Sequence, residues 1–286
     1  MSIEYTGDRF TTQSLSDYAD DSFIIRALST GGALIVGGGY VACNVVNELI
    51  SAAERAGIAI RILWVAKEWA GHIASFGSGG WHFPFLTDDP RIPGWASASF
   101  RNHPVLNRLG LQGYLHDTQS VILTRDHQFE MPPGAPGQVE EVDPRKYGAG
   151  FYDHAHRFTT TVLSMCAALP QIHKGLARIP SVVRLTHHFE SLADILRMAR
   201  QEDISTVLVA AGAGASDLLG HTEVDADFGM LLLAPTSTVP EALRGIVFMD
   251  EDSNQELTYG IPHVLCGHTA FAGIYARRLT DEHPRP

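Results

Sequence analysis

The segment Ala33-Leu-Ile-Val-Gly37-Gly-Gly39-Tyr-Val-Ala42 limits the possible folds of this chain more than any other. Its four leading apolar residues read as a buried parallel strand. A glycine turn follows and opens into a helical run from Cys43 to Ala53. The spacing G-x-G-x-x-[GA], set between a strand and a helix, is the fingerprint of a dinucleotide-binding unit. In this reading Gly37 permits the tight turn, Gly39 lets the backbone approach a pyrophosphate, and Ala42 allows close helix–strand packing. The helix N-terminus then offers free N–H groups and positive dipole to an anion. These residues predict an α/β fold with a Rossmann-type sheet.

The second strand is expected over Ile58-Ala-Ile-Arg-Ile-Leu-Trp-Val65, followed by Ala66-Lys67-Glu68-Trp69. A dinucleotide site normally carries Asp or Glu at the end of this strand, where it holds the ribose hydroxyls. Lys67 stands in that position and the acid comes one residue later. Two readings stay open: Lys67 binds a phosphate or carboxylate, or it is a surface lysine beside an ordinary ribose-binding Glu68.

Length and charge narrow the field. The 286 residues suffice for one large or two smaller α/β domains. The net charge of −11 argues against a nucleic-acid binder and against attachment to an anionic membrane. The polar start Met1-Ser-Ile-Glu-Tyr-Thr-Gly-Asp8 does not read as a signal peptide, and no apolar run is long enough to span a bilayer. Cys43, Cys166 and Cys266 are widely spaced and without a CxxC, so reduced, buried thiols in a cytoplasmic protein are expected. Among fourteen histidines, His154-Ala-His156, His187-His188, His263 and His268 invite a metal, but no HExxH or His/Cys pairing supports one. No metal is expected.

Further along, Ser22–Leu28 suggests a short helix. Residues 86–150, with Met131-Pro-Pro-Gly-Ala-Pro-Gly137, suggest a loop-rich insertion. Phe158–Leu169 reads as a helix ended by Pro170. Strands are expected at Ser181–Leu185, Thr206–Gly212, Phe228–Ala234, Gly245–Met249 and Glu256–Pro262. Leu192–Gln201 reads as an amphipathic helix. The expected division is a nucleotide-binding-like domain over 1–85 with 181–220, and a substrate-domain-like β region over 86–180 with 221–286.

Taken in order, these landmarks resemble the D-amino-acid oxidase family of flavoenzymes over about residues 33–275. Beyond the Gly37 turn, Ser78-Gly79-Gly80-Trp81-His82-Phe83-Pro84-Phe85 is similar to the family's small–small–Gly stretch along the isoalloxazine. Thr87–Phe100 resembles the loop and helix that follow it, and Tyr147-Gly-Ala-Gly-Phe151 the entry to the substrate domain. His188-Phe189-Glu190-Ser191-Leu192 is similar to the turn whose apolar residue contacts adenine, which makes Phe189 that residue. Val207–Gly212 resembles the strand and glycine turn beside the flavin. Thr258-Tyr259-Gly260-Ile261-Pro262 is similar to the stretch with a substrate-contacting tyrosine, here Tyr259. If FAD is retained, the resemblance implies binding by Gly37, Gly39, Ala42, Gly79, Gly80, Phe189 and Gly212.

The family's late substrate-carboxylate arginine and final glycine-rich turn are not found after Tyr259, where the chain runs on to Arg277, Arg278 and Pro286. With Lys67 in place of the ribose acid, this favours a cleft without cofactor. The first reading is therefore a flavin-free enzyme that joins an amino acid or amine to a carbonyl compound, similar to bacterial β-carboline-forming Pictet–Spengler cyclases. His82, Asp88 and Asp89 are its candidate acid–base residues, because imine formation and ring closure need a proton donor and then a base. Lys67, Arg91 and Arg101 suit a carboxylate, and Trp81, Phe83, Phe85 and Trp95 suit an aromatic substrate. Each of these residues also has a plain structural reading, as core, turn or hydrogen-bonded side chain. The alternative is an FAD-dependent amino-acid or amine oxidoreductase with an atypical or partner-completed site; a non-catalytic nucleotide-holding subunit is the third. Small molecules are the expected partners, and a homodimer is possible.

Overall fold

Ala33–Val36 forms β1, and every residue of it is buried. The structure, a computed structural model, describes residues 32–84, 90–125, 138–150, 152–220, 228–250 and 256–275. After β1 come α1 (Tyr40–Ala56), β2 (Ile62–Ala66), α2 (Ala74–Gly77), α3 (Ile92–Arg101) and α4 (Pro104–Leu109). The chain continues through β3 (Leu115–Thr124), β4 (Glu140–Val142), β5 (His154–Leu163), α5 (Met165–Leu176), β6 (Val182–Thr186) and α6 (Leu192–Gln201). It ends with β7 (Thr206–Val209), α7 (Gly214–Leu219), β8 (Phe228–Pro235), β9 (Val247–Asp250), β10 (Glu256–His263) and β11 (His268–Tyr275).

The strands form two sheets. The first has the order β6-β2-β1-β7, and its pairings are all parallel, with Ala33 opposite both Ile62 and Thr206. Alternation along β1 sends Ala33 and Ile35 to one face and Leu34 and Val36 to the other. The first face packs on α1, α4 and α5 through Val46, Leu106, Leu169 and Ile172. The second packs on α6 through Ile195 and Ala199. Burial of each such Leu or Ile is worth about 1.5–3 kcal/mol, so both layers hold the sheet. α1 ends at Gly57, whose left-handed backbone returns its N–H to the Ala53 and Glu54 carbonyls. The second sheet has the order β4-β5-β3-β9-β10-β11-β8 and is mixed, because β3 and β9 run parallel. An α/β fold with a Rossmann-type sheet is what the structure has.

Several expectations are corrected. Phe158–Leu169 is not one helix: β5 runs to Leu163 and pairs antiparallel with all ten residues of β3. The run Thr159-Thr-Thr-Val162 is β-branched and favours an extended chain. Pro170 lies inside α5 rather than ending it. Residues 86–150 contain β3, which the sequence hides because its first half, His116-Asp-Thr-Gln-Ser120, is polar. The second strand begins at Ile62 rather than Ile58. Cys166 and Cys266 are not free thiols but a disulfide that ties α5 to the turn between β10 and β11; Cys43 remains a buried thiol. Burial pushes the Cys43 thiol up to about 12, which leaves it protonated. Ser22–Leu28 and Met131–Gly137 lie outside the described residues. Among the described residues, no helix is long and apolar enough to cross a membrane.

Candidate functional site

A cleft of about 790 Å³ opens outside the carboxyl ends of the parallel strands, where open α/β sheets bind ligands. It is lined by Gly37–Gly39 after β1, Lys67 and Glu68 after β2, His187–Glu190 after β6, and Ala210–Gly214 after β7. The volume lies within the range of about 300–1,000 Å³ usual for ligand sites.

The glycine turn is fixed from several sides. Gly37 has φ +135°. A Cβ on it would lie far inside van der Waals contact of the Ala210 carbonyl oxygen. Gly37 N–H donates to Val65 O at 2.8 Å, and Ala210 N–H to Val36 O at 2.7 Å. Below the turn, Trp64 Nε1–H donates to Gly37 O at 2.7 Å and His173 Nε2 meets Gly38 O at 2.8 Å. At the mouth of α1, the Tyr40 N–H donates to Ser75 Oγ at 3.1 Å. No acidic side chain stands in the first turn of α1, so the helix end keeps its positive field. Lys67 and Glu68 are both exposed at the rim. Phe189 lines the cleft and is buried against Leu34, Val36 and Ile195, with His187 edge-on to its ring at 4.8 Å. Gly212 turns the chain at φ +58°, and Ala42 is fully buried on the α1 side.

The remaining candidates lie elsewhere. Gly80, Trp81 and His82 line a separate cavity of about 400 Å³ together with Tyr40, Asn44 and His103. They are held there by the edge of β5: Leu163 N–H donates to Gly80 O and His82 N–H to Thr161 O, each at 2.9 Å. Trp81 and His82 therefore do not line the cleft formed by the Gly37 and Gly212 turns. Trp81 stacks on Phe83 at 4.5 Å and 6°, and both pack with Tyr259 on one face of the second sheet. Burial pushes the Tyr259 phenol up. Burial also holds the His82 imidazole below its usual range, against the raising effect of the Ala96 carbonyl 2.9 Å from Nε2. The close approach at Gly79 is to the Ile261 side chain and at Gly80 to the Leu163 carbonyl, so protein atoms use the space those glycines leave. Arg91 stands over the exposed Trp95 ring at 4.8 Å and lines neither cavity. Asp88, Asp89 and Phe85 lie outside the described residues, as do Arg277, Arg278 and the Arg101 side chain.

Sequence reasoning missed Trp64, Ser75 and His173. A tryptophan in an apolar strand and a histidine on a packed helix face read as core. Only their hydrogen bonds to the turn distinguish them.

This geometry defines an FAD-dependent-oxidoreductase-like fold, and comparison with solved structures agrees. L-amino acid deaminase from Proteus vulgaris superposes with a TM-score of 0.55 at 11% identity, over 85% of this chain and 60% of that one. A form of it lacking its specific insertion sequence gives 0.54 at 11% identity, over 89% and 70%. L-amino acid deaminase from Proteus myxofaciens in complex with anthranilate gives 0.53 at 14% identity; it matches 85% of this chain, which spans 58% of that enzyme's length. No protein-family model and no curated protein matches the chain. The expectation of a cleft without cofactor is overturned, since these structural neighbours are FAD-dependent flavoenzymes. Nothing in fold or comparison supports Pictet–Spengler cyclisation.

Burial of histidines has a consequence for stability. His173 and His263 are almost fully buried. Burial is the main cause that holds both below the usual range, helped by Arg184 near His173 and by His116 and His268 near His263. The folded state therefore resists a proton that the unfolded chain accepts below about pH 6.5. Stability is complete above that pH and falls as pH drops through it, by up to about 1.4 kcal/mol per pH unit for each histidine. Exposed carboxylates such as Glu54, whose pKa the Arg108 hydrogen bond lowers, respond only in a more acidic range. Urea unfolding at pH 7.5, 6.5 and 5.5 checks this; a flat profile would contradict neutral buried imidazoles.

Proposed function

We propose that this chain binds FAD in the larger cleft and is an FAD-dependent oxidoreductase acting on an amino acid or amine. The observation that carries the reading is the Gly37–Gly39 turn, whose carbonyls are engaged from below while the cleft opens on its other side. The helix N-terminus at the cleft, without acidic residues in its first turn, suits the group. The L-amino acid deaminases that share the fold support the substrate class.

In this reading the Gly38 and Gly39 N–H groups and the start of α1 hold the diphosphate. Glu68 or Lys67 meets the ribose, and Phe189 with His187 forms the adenine wall. When bound, FAD supplies a two-electron acceptor, and the protein supplies binding, orientation and electrostatics. Trp81, Phe83 and Tyr259 provide an apolar surface on the second sheet that excludes water from a substrate side chain. His82, neutral and fixed through Nε2 to Ala96 O, keeps positive charge out of the smaller cavity.

The visible spectrum of the purified protein tests the proposal. Flavin bands, with FAD released on denaturation, are the expected result, followed by reduction of an artificial electron acceptor when L- or D-amino acids are supplied. Failure of the apoprotein to quench flavin fluorescence on titration with FAD would sink the reading.

A further inference from the structure

The glycine turn is a short, flexible sequence, so something must decide which way its peptide groups face. Three rings lie beneath it. Trp64 is fully buried on β2 and His173 is almost fully buried on α5. Trp69 meets both rings edge-on, at 4.9 and 5.2 Å. Its own Nε1–H is tied to Thr186 Oγ1 at 2.8 Å. The cluster cannot rotate without breaking the packing between β2 and α5.

Trp64 Nε1–H takes the Gly37 carbonyl and His173 Nε2–H takes the Gly38 carbonyl. Among the described residues no peptide bond is cis, and in a planar trans peptide the C=O of one residue points opposite to the N–H of the next. With both carbonyls turned into the interior, the Gly38 and Gly39 N–H groups are turned to the cleft. No hydrogen bond to either N–H is made among the described residues. We infer that Trp64 and His173 are positioning residues, which aim the two amides at the diphosphate of a bound dinucleotide. The inference rests on the dinucleotide reading of the cleft proposed above, and it assigns a role to two side chains that touch no ligand.

A bond to each carbonyl also fixes the histidine tautomer. The Gly38 carbonyl oxygen can only accept, so the Nε2 that meets it must donate, and Nδ1, buried with no partner among the described residues, is left as a bare lone pair. The proton therefore sits on Nε2, where it is used.

The experiment compares ADP with adenosine as ligands of the apoprotein by calorimetry. Adenosine reaches the adenine and ribose walls but carries no diphosphate. Trp64→Phe and His173→Leu each remove one donor and are expected to weaken ADP about tenfold or more, with adenosine changed less than twofold. His173→Gln, which returns an N–H donor near the Nε2 position, is expected to recover most of the ADP affinity. A merely structural role would weaken both ligands together, and that result, or unchanged ADP binding, would overturn the inference. On the wild-type protein, nitrogen NMR of labelled histidine reads the tautomer directly, independently of whether a variant folds; an Nδ1–H form would also overturn it. The outcomes separate from those of the functional proposal. Wild-type protein that binds ADP but not FAD sinks the flavin reading and leaves the positioning role to be decided by the variants. Wild-type protein that binds neither sinks both.

Discussion

Reduction of the Cys166–Cys266 disulfide is expected to lower the free energy of unfolding by about 4–5 kcal/mol. The two cysteines are 100 residues apart in sequence. A cross-link that closes a loop of this length removes about 4.7 kcal/mol of chain entropy from the unfolded state. That is a large part of the roughly 5–15 kcal/mol that holds a typical domain together. The bond joins the second residue of α5, packed on the parallel sheet, to the turn that closes β10 and β11. Its loss thus frees the second sheet from the first at this point. Urea unfolding with and without a dithiol reductant, and of Cys266→Ser, measures the effect. A thiol count supplies the control. Of the three cysteines, the unfolded, unreduced chain should show one, Cys43, and the native protein none, because Cys43 is buried and protonated. Three thiols in the unreduced unfolded protein would remove the disulfide from the account.

This bond was illegible in the sequence for a physical reason. The three cysteines are odd in number and far apart, and nothing local brings Cys166 to Cys266; the two meet only because β5 and β10 belong to one sheet. The same holds for β3 and β5. Each is stabilised by the other across ten residue pairs, while Phe158–Leu169 taken alone has an apolar pattern that also suits a helix. Local signals were enough elsewhere. Gly37 and Gly39 mark β1 and α1, and Leu192–Gln201 is a helix with Ser191 capping the Asp194 N–H. The cleft was legible to the same extent. Gly37 with Gly39, Lys67, Phe189 and Gly212 come from four places in the chain and meet at one end of one sheet. The aromatic segment did not join them. Trp81 and His82 are drawn to the edge of β5 by backbone pairing, a contact that no motif in the sequence announces.

Substitution of Gly37 by alanine is expected to cost about 2–6 kcal/mol, while the same change at Gly57 costs about 1 kcal/mol. Both glycines have positive φ, +135° and +66°. At Gly57 the conformation is left-handed helical and a Cβ meets nothing within 4 Å, so only the backbone preference is lost. At Gly37 two costs add. A φ of +135° is a region that L side chains rarely adopt, worth about 1–3 kcal/mol, and the new methyl is driven into the Ala210 carbonyl, which adds about 1–3 kcal/mol of overpacking. The carbonyl cannot give way freely, because the adjacent Ala210 N–H is held to Val36 O at 2.7 Å, where β7 pairs with β1. Relief would have to come from parting two strands of the sheet or from turning the Gly37 peptide. Turning it breaks the Trp64 bond and takes the Gly38 N–H away from the cleft. Gly37→Ala should therefore lose ADP and FAD binding even under conditions where it remains folded, and Gly57→Ala should keep both. Equal unfolding costs for the two variants would mean that the turn is not held as tightly as its contacts require, and with that the basis for a preformed diphosphate site would fall.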